Sequence, residues 1–218
     1  MNKILKKYKV LSIGTNCFCR KYIEKYVEPR ELHVFDRIGT TMWSIVELVK
    51  NDFDGLLDKN NFELTKIYEN DKPMYVNQRY FTKFLHDDFS DKKIKETTET
   101  YKRRIDRFKQ SLQSDKFLIF MRIQEWQVGQ ILNEECKKHN EKTEYQYLED
   151  FSEWLSSQQI QFRIIYIGQI ENKYDDKYKI ICLNDKADQY VWATCEKSIN
   201  SLLENNKDFI MKYLPQDK

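Results

Sequence analysis

The sequence predicts an α/β fold: a largely parallel central sheet with helices on both faces, a Rossmann-like or hydrolase-like three-layer sandwich. Three observations carry that expectation. The run Lys9-Val10-Leu11-Ser12-Ile13 is short, apolar and β-favouring, and Gly14 closes it. The run from Lys116 to Ile123 is almost continuously apolar, as a strand covered on both faces must be. Between such runs, apolar residues recur at helical spacing, and strands alternating with helices specify parallel pairing. At 218 residues, 40% hydrophobic and 14% aromatic, the chain can bury one sizeable core, so residues 1–218 are read as a single α/β domain.

The elements follow in order. After Gly14, the positions Phe18, Tyr22, Ile23 and Tyr26 keep a helical period, and Pro29 stops it. Glu31 to Phe35 reads as a second short strand that delivers Asp36 at its end. Thr40 or Thr41 caps a helix carrying Trp43, Ile45, Val46, Leu48 and Val49. From Asp52 to Phe89 no helical period persists, and the mixture of aromatic residues, Pro73 and polar turns predicts loops and hairpin strands. Tyr101, Ile105, Phe108 and Leu112 mark one face of a long charged helix that begins after Asp91. The Lys116–Ile123 strand comes next, then a helix through Tyr147, Leu148, Phe151, Trp154 and Leu155. A strand from Phe162 to Ile167 ends at Gly168, Lys179 to Leu183 repeats the pattern, and Ile199, Leu202, Leu203, Ile210 and Leu214 mark closing helices.

Composition narrows the function classes. Lys and Arg number 37 against 35 Asp and Glu, a net charge of +2, which lacks the basic footprint of a nucleic-acid binder. No run approaches the roughly 18 apolar residues that span a bilayer, and the basic N-terminus has no cleavage site after it, so a soluble protein is expected. The five cysteines are odd in number and scattered, which suits reduced thiols and a cytoplasmic setting. Cys17-Phe18-Cys19 has one intervening residue where zinc sites use two to four, so no metal is expected, and no motif asks for a cofactor.

Open α/β sheets collect their sites at the carboxyl ends of strands, which places Gly14 to Cys17, Asp36 and the residues after Ile123 at the crest. A cysteine there, at a helix N-terminus, has its thiolate favoured by the dipole and unpaired amides. Gly14 permits the tight turn, while Asn16 either caps the helix or donates to an oxyanion. The plainer reading keeps Cys17 as a small packed hydrophobe. Cys19, two residues on, points away and belongs to the core.

A thiol nucleophile needs a base. His86, in Leu85-His86-Asp87-Asp88-Phe89, is the first candidate, with Asp87, Asp88 or Asp36 to orient its ring. His33 ranks second, because strand alternation sets it and Asp36 on opposite faces, and His139 reads as surface. Arg103, Arg104 and Arg107 line the charged helix. Arg122 interrupts an apolar strand and so needs a carboxylate, Asp36 or Glu125, or an anionic ligand. Trp126 and Trp192 read as packing residues.

Four stretches in this order, Val10 to Cys17, Val34 to Ile38, Phe84 to Phe89, and Arg103 to Phe108 leading into the Phe117–Arg122 strand, resemble a family of bacterial and large-DNA-virus proteins labelled papain-like cysteine peptidases. The likeness covers about the first 125 residues. It implies Cys17 as nucleophile, His86 as base and Asp36 as a third member. Arg37 stands where that family usually carries Trp after Phe-Asp. At the level of fold the chain is also similar to lipase- and esterase-type hydrolases with cysteine in the serine position. The leading expectation is a cysteine-dependent hydrolase or acyl-transfer enzyme acting on a protein or small-molecule acyl substrate. The competing one is a non-catalytic binding or interaction module that holds an anion through Arg122, Arg104 and the helix N-terminus, or a protein partner.

Overall fold

A computed structural model describes residues 7–14, 19–20, 24, 32–67, 73–124, 141–185 and 195–215. The chain is mixed α/β, with a mostly parallel sheet at its centre. Strands β1 (Lys9–Ser12), β6 (Leu118–Ile123), β7 (Phe162–Gly168), β8 (Lys173–Asp175) and β9 (Ile180–Asn184) form a five-stranded sheet in the order β1-β6-β7-β9-β8. The pairs β1–β6, β6–β7 and β7–β9 are parallel, and β8 closes the edge antiparallel to β9.

Residue alternation divides this sheet's two faces. Leu11, Ile13, Phe120, Ile164 and Cys182 point to one cluster, and Val10, Met121, Ile165, Ile181 and Leu183 to the other. The first face takes helix α3 (Glu144–Ser157) through Tyr147, Leu148, Phe151 and Leu155. The second takes α4 (Cys195–Asn205) and α5 (Lys207–Tyr213) through Ile199, Leu203 and Ile210. Full burial of each such aliphatic side chain contributes about 1.5–3 kcal/mol.

The region from Asp52 to Phe89 supplies the expected hairpin strands, and they build a second sheet. Strands β2 (Ile38–Gly39), β3 (Phe62–Ile67), β4 (Pro73–Asn77) and β5 (Thr82–Phe84) pair antiparallel in the order β2-β5-β4-β3. Helix α2 (Ile94–Leu112) covers it, its Tyr101 ring edge-on to Phe84 at 5.1 Å. Helix α1 (Met42–Lys50) starts at Thr41, whose Oγ1 accepts from the Ser44 amide at 3.0 Å. Among the described residues, no helix is long and apolar enough to cross a membrane.

One predicted strand is absent. Val34–Asp36 is a turn of 3-10 helix, not the end of a strand from Glu31, and Ile38–Gly39 is the strand that follows. The coil brings residues three apart to one side. His33 and Asp36, placed on opposite faces by strand alternation, are therefore neighbours: the His33 amide donates to Asp36 Oδ2 at 2.6 Å.

Candidate active site

Gly14 ends β1 with φ +72°, a left-handed conformation that favours glycine. A Cβ there would collide with Thr40 Oγ1 and press on Arg122 Nη1 at 3.2 Å. Both backbone and packing thus demand glycine at this turn.

Arg122 is what crowds it. Its side chain, on the same face as Phe120, is fully buried near the end of β6. Nη1 donates to the Ile13 carbonyl at 3.0 Å, Nη2 to the Thr40 carbonyl at 3.1 Å, and Nε to Glu144 Oε1 at 2.7 Å. Glu144 opens α3 and also accepts from Tyr166 Oη on β7 at 3.3 Å. The arginine needed a carboxylate, and it is Glu144 rather than Asp36; Glu125 lies outside the described residues. A single guanidinium therefore ties β1, β2 and α3 together at the crest.

Asp36 has other partners. It is fully buried, with Oδ2 3.7 Å from His33 Nδ1 and 3.8 Å from Arg20 Nη1. Among the described residues its Oδ1 has no hydrogen-bond partner. His33 is buried as well, its Nε2 3.3 Å from Ser111 Oγ on α2. Arg107 fixes the approach to this turn by donating to the Leu32 carbonyl through Nε and Nη2, at 2.9 and 2.6 Å.

Cys19 fits its expected core role. It is buried, its Sγ donates to the Met121 carbonyl at 3.3 Å, and burial pushes its thiol up to about 11. Ser12 and Arg122 act in the opposite direction, while Asp36 adds to the rise. Cys19 and Arg20 are helical, and the Glu24 amide donates to the Arg20 carbonyl at 3.0 Å. Cys17, Asn16, Cys136, His139, Trp126 and Trp192 lie outside the described residues.

His86 is exposed, two residues beyond β5. Its neighbouring carboxylates anchor the loop. Asp87 Oδ2 accepts from the buried Tyr101 hydroxyl at 2.7 Å, and Asp88 Oδ1 accepts from the Ser90 amide at 2.8 Å. That amide holds the Asp88 carboxyl below the usual carboxylate range. Arg104 is buried on α2 with its guanidinium 4.5 Å from the Tyr101 ring centre, and its Nη1 has no hydrogen-bond partner among the described residues.

The register orients this second sheet. Ile38 pairs with Phe84 and Gly39 with Lys83, so His86 continues past the Ile38 end, while buried Lys83 sits toward Thr40 and Gly14. Sequence reasoning missed Glu144, Tyr166, Arg20 and Lys83. For Glu144 a signal existed: Thr143-Glu144-Tyr145-Gln146 is a capping box, with the Thr143 amide donating to Gln146 Oε1 at 2.8 Å, and it sets Glu144 in the first turn of α3. Among the described residues no group of three or more His, Cys, Asp or Glu could hold a metal ion.

No curated protein and no solved structure matches the chain. A family model described as "Putative papain-like cysteine peptidase" matches residues 8–172, a span that runs from β1 through β7 and includes Gly14, Asp36, His86, Arg122 and Glu144, and the chain belongs to that family.

Proposed function

We propose that the protein is a cysteine-dependent hydrolase of the peptidase type, built at the crest of a hydrolase-like α/β sandwich, with Cys17 as nucleophile. The Cys17 thiolate attacks the substrate carbonyl carbon and forms a C–S bond, while Asn16 and turn amides stabilise the oxyanion. His86 takes the thiol proton and returns it to the leaving group as that bond breaks; water then hydrolyses the thioester. Asp36, with one buried oxygen that has no partner among the described residues, is the third member of this set.

The observation that carries this reading is the Gly14 turn, where a left-handed glycine meets a buried arginine three residues before Cys17 in the sequence. Cys19 and Cys182 are free, buried thiols, as a reducing cytoplasmic setting would keep them. Iodoacetamide labelling read by peptide mass spectrometry is the test. Cys17 should be alkylated selectively near neutral pH, and His86→Ala should slow it at least about tenfold. Equal labelling of all accessible cysteines would sink the proposal.

A further inference from the structure

We infer that Arg104 anchors a separate binding site on α2, a subsite for a carboxylate group of a peptide, entered beside the His86 loop. The site uses no residue of the Cys17 turn, so either assignment can fail and leave the other standing.

Among the described residues three arginines are buried, and their surroundings differ. Arg122 meets Glu144 at 2.7 Å, and Arg20 lies 3.8 Å from Asp36. Arg104, only 6% exposed, forms no ion pair with a carboxylate among the described residues, and its Nη1 has no hydrogen-bond partner there. A guanidinium taken out of water costs free energy that a paired anion offsets, and an unfilled donor adds to the cost. Its neighbours on α2 are already engaged. Arg107 commits Nε and Nη2 to the Leu32 carbonyl, and exposed Arg103 donates to Thr100 Oγ1 at 3.1 Å. Arg104 is the cation left for a guest.

The Tyr101 ring decides which guest. The Arg104 guanidinium carbon stands 4.5 Å from the ring centroid, a cation–π contact that holds the planar group in place. The hydroxyl of the same ring donates to Asp87 Oδ2 at 2.7 Å. Burial and Asp87 hold that hydroxyl well above its ordinary value while Arg104 pulls the other way, so cation and carboxylate flank one hydroxyl. Asp87 is half-buried and its neighbour His86 is exposed, which makes this loop the entrance. A fixed, planar guanidinium matches a planar carboxylate. Asp87 repels a second negative charge, so a monoanion is favoured over a phosphate dianion.

The experiment is an amide-resolved NMR titration of the full chain near neutral pH. The probes are N-acetylglycine, N-acetylaspartate methylamide, the neutral N-acetylglycinamide and inorganic phosphate. Both carboxylates should give saturable shifts at Asp87 and around Arg104, and the tighter one names the source as a chain terminus or an acidic side chain. Binding should be at least about tenfold weaker for the neutral amide and in Arg104→Met, and about threefold or more weaker for phosphate. Arg104→Lys keeps the charge without the planar fork and should fall between wild type and Arg104→Met, while Arg103→Met should bind as wild type. If Arg104→Met does not fold, the contrast between carboxylate and neutral amide in wild type, together with Arg104→Lys, still carries the test. Absence of saturable shifts, equal binding of the neutral amide, phosphate binding as tight as carboxylate, or binding that survives in Arg104→Met would overturn the site.

Discussion

The loop that ends β1 and the loop that ends β5 solve opposite problems. The first is fixed from beneath: Gly14 has no room for a side chain, and fully buried Arg122 binds the carbonyl before it. The second is fixed from its flanks, with exposed His86 beside two carboxylates that bind Tyr101 and the Ser90 amide. One loop belongs to the parallel sheet and the other to the antiparallel sheet. The comparison teaches that the Gly14 turn and the His86 loop have separate supports, so each can be loosened alone.

Breaking the first support should cost most. Arg122→Met strands Glu144 and two carbonyls, and denaturant unfolding should show a loss of about 3–5 kcal/mol. Gly14→Ala imposes a left-handed alanine and a collision with Thr40, an expected loss of about 2–5 kcal/mol by the same measurement. The second support is weaker. Asp87→Ala strands the buried Tyr101 hydroxyl and should cost about 1–3 kcal/mol. Thr143→Ala removes the cap that presents Glu144 and should cost about 1 kcal/mol.

The smallest effect is a pH dependence. Because Asp88 titrates below its unfolded value, its contribution is present above that value and is lost as pH falls through the folded one. The stability gap between wild type and Asp88→Asn should therefore hold from neutral pH down to about pH 4 and narrow as pH falls further. A gap that widens in acid would contradict the Ser90 amide as the cause.

The sequence made the unbroken patterns legible. β6 announced itself by six consecutive buried positions, and α2 by Tyr101, Ile105 and Phe108 on one stripe. Gly14 and Arg122 stood out because each breaks a local rule, a glycine closing a strand and a charge inside one. Their partners did not stand out. Glu144 lies 22 residues from Arg122 and Thr40 lies 82 residues from it, separations that no local pattern encodes.

The His33–Asp36 pair was misread for a related reason. Four residues of mixed polarity cannot separate a strand end from a 3-10 turn, since the periods of two and three differ little over so short a run. Lys83 was invisible because Thr82-Lys83-Phe84 resembles an ordinary half-exposed strand, and its burial arises only from tertiary packing.

The central claim is that the two separately supported loops meet in one reaction. A crystal structure of the protein covalently trapped at Cys17 by a peptidyl chloromethyl ketone tests it most directly. The account predicts a His86 ring nitrogen within about 4 Å of the Cys17 sulfur or the trapped oxygen. A separation beyond about 8 Å, with the β5 loop still held by Asp87 and Asp88, would contradict it.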